Sequence, residues 1–210
     1  MGRTGSGSGA SADGGAALLV FLGSARRGGN SEILCREAMK GAREAAGGRG
    51  GGAVRLVRLD ALDLLPCAGC LKCRGGRCRT RSDDANPLLA LMRAARSYLF
   101  ATPVYFWNVS GLMKNFFDRL LPLFEVTWEG DRARMRSLVA GRKAGIIVVQ
   151  EEAKCPHPSI PLLFFERNFA DLSLSFAGSV FAYGALRKGD VRRDRRALAA
   201  ARALGRKLVR

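Results

Sequence analysis

Residues Ala16 to Ser31 read AALLVFLGSARRGGNS, and the change of character at Gly23 decides the fold. Before it the chain is apolar over a strand's length. After it come Ser, Ala, Arg, Gly and Asn, leading into a segment of helical character. A run of large apolar residues without polar alternation suits a strand buried on both faces. Such a strand delivers the chain to a helix N-terminus, where unpaired N–H groups and the positive dipole end attract an anion. Ser24, Asn30 and Ser31 add hydroxyl and amide donors, and Arg26 and Arg27 add charge-assisted ones. The stretch reads as a phosphate-binding loop, with an ordinary tight strand-to-helix turn as the alternative.

What the loop lacks narrows the phosphate. No Gly-Lys-Ser/Thr ending is present, so the lysine and magnesium-binding hydroxyl of an ATP or GTP loop are missing. Nor does G-x-G-x-x-G stand in register with the strand. The Gly5-Ser6-Gly7-Ser8-Gly9 run precedes any strand and reads as flexible linker.

The chain has 210 residues, enough for one well-buried domain. Residues 1–15 read as a disordered tail by composition, and 16–210 as the domain. No apolar run approaches the roughly 20 residues of a spanning helix, and no signal peptide is recognisable, so a cytoplasmic protein away from membranes is expected. Lys and Arg number 35 against 18 Asp and Glu, a net charge of +17. No stacking motif or zinc-finger spacing accompanies that charge, which argues against nucleic acid and for a solvated basic face that steers anionic cofactors.

Strands are expected at Ala16–Leu22, Ala53–Leu59, Ser97–Ala101, Ala144–Val149 and Ser179–Tyr183. Helices are expected from Ser31 to Ala46 with Ser31 or Asn30 as cap, and to Ala95 after capping residues Asp83, Asp84 and Asn86. Others contain Leu112–Leu121, lie within Leu162–Phe176, and begin near Asp190; residues 126–141 read as irregular and charged. In the last helix Leu198, Ala201, Leu204 and Leu208 form one stripe. The alternation predicts an α/β fold: a doubly wound five-stranded parallel sheet, order 2-1-3-4-5, with helices on both faces and ligands at the strands' carboxyl ends.

The segment Pro103, Val104, Tyr105, Phe106, Trp107, Asn108 is unusually aromatic for a loop. Its rings could face a flat heterocycle, or they could cover the sheet edge or a dimer contact. Beside an anion site, a flat ligand carrying a phosphate is the economical reading.

In this order and spacing, LGSARRGGNSEIL, PCAGCLKC, RSDD and ATPVYFWNVSGLMKNFFDR resemble the flavodoxin-like NAD(P)H-dependent FMN reductase family, including its iron–sulfur flavoprotein branch. The resemblance spans roughly residues 16–208. It implies non-covalent FMN, with the phosphate at Ser24, Arg26, Gly29, Asn30 and Ser31 and the ring near Pro103–Asn108. It also implies NAD(P)H as co-substrate, a small-molecule or protein electron acceptor, and a homodimer or homotetramer. Ala25 stands where relatives often carry Pro before the loop arginine. No side chain is assigned as catalytic, because the flavin carries the chemistry. Lys114 and Asp118 read as an ion pair, Gln150 and Glu151 as weaker flavin contacts, and His157, between two prolines, as incidental.

Cys67, Cys70, Cys73 and Cys78 form C-x2-C-x2-C-x4-C. Four thiolates on one short loop can hold a [4Fe-4S] cluster. They can also hold zinc, although its cysteine pairs are usually further apart, or remain free thiols. Arg74, Arg77 and Arg79 beside them fit each reading. Cys35, inside the first helix, reads as a small core residue. An electron-transfer module with a cluster on this loop is the alternative to a reductase, and a nucleic-acid binder using the basic last helix is a third.

Overall fold

The computed structural model describes residues 16–47, 52–73, 75–152 and 159–210. The tail 1–15, most of the glycine run after Gly47, Arg74, Cys155 and His157 lie outside the described residues. In chain order the elements are β1 (Leu18–Leu22), α1 (Asn30–Ala45), β2 (Val54–Arg58), α2 (Ala85–Ala94), β3 (Ser97–Tyr105), β4 (Asn108–Val109) and α3 (Gly111–Asp118). There follow β5 (Phe124–Glu129), β6 (Arg132–Ser137), β7 (Lys143–Val149), α4 (Ser159–Asp171), β8 (Ser175–Ala182) and α5 (Arg195–Val209).

All five residues of β1 are fully buried. Leu19 and Phe21 join the core on one face of the sheet, and Leu18, Val20 and Leu22 the core on the other. Period-two geometry on a sheet covered twice explains why the strand shows no polar alternation. The main sheet runs β2-β1-β3-β7-β8, every pairing parallel, which is the expected order 2-1-3-4-5. The chain leaves β1 for one side and returns at β3 on the other, so the loops after β1 and β3 diverge at a topological switch point.

The two cores differ in character. Toward α2, α3 and α4, Phe21 stacks on Phe116 and Phe100 with centroids 4.7 and 5.2 Å apart. Toward α1 and α5 the packing is aliphatic and close. A Cβ on Gly41 would stand 1.9 Å from the Arg202 carbonyl oxygen, and one on Gly205 1.8 Å from that of Ala38. The expected stripe on α5 is the buried one, with Ala201, Leu204 and Leu208 inside and Leu198 packed at the rim. Cys35 is buried in this core, and burial pushes its thiol pKa well up.

Three expectations need correction. The strand expected to stop at Ala101 continues to Tyr105 and turns back into β4. Pro103 is tolerated because β1 has already ended: Gly23 N–H bonds to the Ala101 carbonyl, so the missing donor of Pro103 faces a side with no strand. Residues 126–141, expected to be irregular, include most of the β5–β6 hairpin, closed by the two-residue turn Gly130-Asp131. Its charges pair across the strands on one face, Glu125 with Arg136 and Glu129 with Arg134, and alternate with apolar residues such as Val126 and Met135, so the pattern is strand-like. Phe176 lies in β8, beyond α4, and α5 begins at Arg195 after a single 3-10 turn at Asp190–Arg193. Among the described residues no helix is long and apolar enough to cross a membrane.

Candidate functional site

The loop from Gly23 to Gly29 leaves the carboxyl end of β1 and meets α1 without a side-chain cap. Gly29 occupies the N-cap position, and the first intrahelical bond runs from Ile33 N–H to the Gly29 carbonyl at 3.0 Å. Asn30 and Ser31, expected as caps, lie inside the first turn instead. The N–H groups of Asn30, Ser31 and Glu32 therefore have no intrahelical acceptor. Ser24 and Ser31 are buried, and their hydroxyls bond to no described residue. Donors without acceptors, at the positive end of a sixteen-residue helix, suit an anion.

Asn30 has a role the sequence did not suggest. Its Nδ2 donates to the carbonyls of Ala185 and Arg187 at 3.0 and 2.9 Å, and its Oδ1 accepts from Gly189 and Val191 N–H at 2.9 and 3.3 Å. The side chain is thus committed to the segment after β8. Arg26 likewise donates to the Leu186 carbonyl at 2.8 Å.

Beneath the loop lies a carboxylate that no sequence motif marks. Glu32 Oε2 accepts from Gly28 N–H and from Arg58 Nη1, each at 2.8 Å, while Oε1 accepts from Arg36. Burial works against the charged form, but those hydrogen bonds and the two guanidinium groups outweigh it and hold the carboxyl below its ordinary pKa.

Across the switch point stands the β3–β4 turn. Tyr105 pairs with Asn108, leaving Phe106 and Trp107 as the two central residues, at φ 46° and 67°. Both dihedrals are left-handed, a geometry that usually selects glycine or asparagine. Phe106 is 101% exposed and Trp107 60%. With Val104, Gln150, Glu151 and Glu152 they line a cavity of about 420 Å³ at the carboxyl ends of β3 and β7. Gln150 is buried there, its N–H on the Ala182 carbonyl and its Nε2 on that of Glu152. Asn108 turns its Oδ1 to the Val109 N–H. Ser110, unremarked in the sequence, caps α3 and donates to the Gly23 carbonyl at 2.6 Å.

The four clustered cysteines line a second cavity with Thr80, Arg81 and Arg119. Arg119 and Asp83 form a buried bidentate pair, with side chains 3% and 0% exposed. Asp83 also accepts from Leu65 N–H at 3.0 Å, and Arg119 donates to the Leu65 carbonyl, so the pair clamps both stems of the loop. Asn86, expected as a helix cap, brackets Cys78 through its N–H and carbonyl at 2.8 and 3.0 Å. The Asp84 side chain turns to the Asp63 N–H. Burial opposes ionisation of Cys78, yet the N–H groups of Thr80 and Arg81, the Thr80 hydroxyl and Arg119 hold its pKa down. Burial and then the neighbouring cysteines push Cys73 up. As a donor set four thiols suit iron or zinc, but the Thr80 hydroxyl stands 3.3 Å from the Cys70 sulfur and 3.8 Å from that of Cys78. Among the described residues no three His, Cys, Asp or Glu side chains are gathered as a metal site. Lys114 and Asp118 form the expected ion pair, at 2.6 Å on the surface of α3.

Comparison with known proteins fits this geometry. Residues 16–154 match the family described as NADPH-dependent FMN reductase. An iron–sulfur flavoprotein of Archaeoglobus fulgidus is 33% identical over 130 residues, 61% of this chain and 52% of that protein. The chain therefore spans about half the length of that relative. YwqN of Bacillus subtilis, named as an NAD(P)H-dependent FMN-containing oxidoreductase, is 28% identical over 188 residues, 88% of this chain and 93% of that one. Among solved structures, an FMN-dependent NADH-azoreductase from Bacillus anthracis superposes with a TM-score of 0.67 at 13% identity, covering 92% of this chain and 99% of that one. That likeness is one of fold. Loop, cavity and sequence agree: the chain belongs to the NADPH-dependent FMN reductase family.

Proposed function

We propose that the protein is an FMN-dependent NAD(P)H oxidoreductase of the flavin- or quinone-reductase type, built on one domain at 16–210 and working in the cytoplasm as a homodimer or homotetramer. The observation that carries the reading is that Ser24 and Ser31, both buried residues, have hydroxyls that bond to no described residue, beside the free first-turn amides of α1. They suit the FMN phosphate, with Gly29 allowing close approach of the backbone and Arg26 at the rim. Asn30 contributes its backbone N–H and holds the neighbouring segment in place. The segment Pro103, Val104, Tyr105, Phe106, Trp107, Asn108 is the wall for the ring in this reading, and of it Val104, Phe106 and Trp107 line the cavity together with Gln150 and Glu151.

When bound, FMN supplies acceptance of a hydride from NAD(P)H and its delivery to a small-molecule or protein acceptor. The chain's own contribution is position and solvent exclusion. The helix end neutralises the phosphate charge, the aromatic turn keeps water from one side of the cavity, and its open side admits the nicotinamide. No protein acid or base is required. Stopped-flow mixing of the flavin-loaded protein with NADPH and with NADH tests this. Loss of the blue absorbance with at least one is expected; no binding of FMN, or no bleaching by either nucleotide, overturns the reading.

A second reading concerns Cys67, Cys70, Cys73 and Cys78. Their convergence on one cavity, and the name of the archaeal relative, support a [4Fe-4S] cluster there. The Thr80 hydroxyl is within hydrogen-bonding distance of two of the sulfurs, those of Cys70 and Cys78. Iron, acid-labile sulfide and zinc in anaerobically purified protein decide it: about four iron and four sulfide per chain support the cluster, and none of the three leaves a loop of free thiols.

A further inference from the structure

The segment after β8 is fastened to the loop after β1 from several directions. The Asn30 amide holds it through four hydrogen bonds, using both donors and both lone pairs. Arg26 holds the Leu186 carbonyl, and Asp190 Oδ2 accepts from Arg187 N–H at 2.5 Å, tightening the turn itself. Gly189, at φ 90°, closes it. The residue at the top of this turn is Lys188, and the fastening fixes where its backbone stands.

Its side chain lies over the loop. A Cβ built on Gly28 would meet Lys188 Cε at 3.1 Å and Nζ at 3.4 Å. Gly28 sits at φ 63°, a backbone that disfavours a larger residue, and the end of the lysine chain would have to shift to admit one. Most other cations near the loop are engaged: Arg58 with Glu32 and Asp60, Arg36 with Glu32, and Arg26 with a carbonyl; Arg27, exposed in the loop itself, forms no ion pair among the described residues. Lys188 forms no ion pair among the described residues. An ammonium seated against a loop whose amides and hydroxyls await an anion is a ready charge partner for one.

We propose that Lys188 is a ligand of the flavin phosphate, delivered across the fold by the turn that Asn30 locks, and that it discriminates FMN from unphosphorylated riboflavin. The proposal rests on the reading of Gly23–Ser31 as the phosphate site. It adds a cation more than 150 residues further along the chain, at a position that no sequence motif marks.

The test is titration of FMN and of riboflavin, by quenching of flavin fluorescence, into the full chain stripped of co-purified flavin. Wild type is compared with Lys188→Gln, Lys188→Arg and Arg196→Gln, the last a charge loss elsewhere on the basic surface. Lys188→Gln is expected to weaken FMN about tenfold, the scale of one charge-assisted hydrogen bond, and to leave riboflavin unchanged. Lys188→Arg should recover most of the loss, and Arg196→Gln should bind FMN as wild type does. Unchanged FMN affinity in Lys188→Gln overturns the proposal. So does equal weakening of both flavins, which marks damage to the turn, or an equal loss in Arg196→Gln, which marks general electrostatics. A wild type that binds both flavins equally removes the phosphate-site reading and this proposal with it, whereas a strong FMN preference that survives Lys188→Gln removes this proposal alone.

Discussion

Ser110 Oγ lies 2.6 Å from the carbonyl oxygen of Gly23, although 87 residues separate the two. The same hydroxyl accepts from Met113 N–H at 3.3 Å as the cap of α3, and the Ser110 N–H bonds to Thr102 Oγ1 at 3.0 Å. One buried serine thus ties the start of the β1–α1 loop, the end of β3 and the helix after the aromatic turn. The proposed phosphate site and ring wall keep their spacing through this contact. It also explains Gly23, since a Cβ there would stand 2.9 Å from Ser110 Oγ and 3.1 Å from Met113 Cβ.

Ser110→Ala should therefore destabilise the protein by about 2 kcal/mol, combining a lost helix cap with a buried carbonyl left unpaired. Urea unfolding followed by circular dichroism measures it. A change below about 0.5 kcal/mol would show that water replaces the hydroxyl.

The sheet was legible because its strands are apolar runs between punctuating glycines, and LLVFL has no other use than burial on both faces. The loop between β1 and α1 was legible for the same reason: the apolar run stops where the strand stops. What stayed hidden depends on partners far along the chain. Nothing local to Arg58 or Glu32 says that they meet beneath the loop, and nothing local to Asn30 assigns its amide to residues 185–191. The β5–β6 hairpin was legible too: FEVTWE and RARMRS each alternate apolar and polar residues about the turn Gly130-Asp131, a period-two signal masked by the density of charge in the stretch. Ser110 could have been found: a serine opening the run GLMKNFF is a cap signal.

The contact between α1 and α5 predicts a severe pair of substitutions. Gly41→Ala places a methyl carbon 1.9 Å from the Arg202 carbonyl oxygen, and Gly205→Ala repeats the clash from the other helix. Backbone cannot move aside as a side chain can, so the helices must separate. Each change should destabilise by about 3 kcal/mol. Their combination should fall short of additive, since one separation relieves both clashes. Thermal denaturation of the two single variants and the double variant tests it, and full additivity would mean that the two contacts yield independently.

Removing one member of the buried Arg119–Asp83 pair leaves an uncompensated charge, so Arg119→Met should destabilise by about 3–5 kcal/mol. The pH dependence follows from the acid. Burial disfavours the Asp83 carboxylate, but Arg119 and the N–H groups of Ala85 and Leu65 hold its pKa below the ordinary value. A lowered folded pKa means that the stabilisation is complete above the unfolded pKa of about 4 and lost as pH falls through the folded value. Glu32 acts in the same direction. Urea midpoints at pH 7, 5, 4 and 3 should decline at the acid end, and less steeply in Asp83→Asn. An identical acid slope in that variant would assign the loss to other carboxylates.

The aromatic turn sets stability against function. Phe106 holds a left-handed backbone at φ 46° while its ring is wholly exposed, so strain of about 1 kcal/mol is offset by no burial within the chain. Phe106→Gly relieves that strain and should leave stability equal or raise it by up to about 1 kcal/mol, whereas Phe106→Ala keeps the backbone conflict and should gain nothing. If the ring walls the flavin cavity, both variants should bind FMN more weakly, by severalfold. Unfolding curves of the flavin-free proteins, set beside FMN titrations, separate the two effects. Clear destabilisation of the flavin-free Phe106→Gly variant would mean that the ring is buried in solution, against another copy of the chain or another surface. Weaker flavin binding without loss of stability is the expected result, because an exposed aromatic held in an unfavourable backbone gives the isolated fold nothing and has its use only when a ligand covers it.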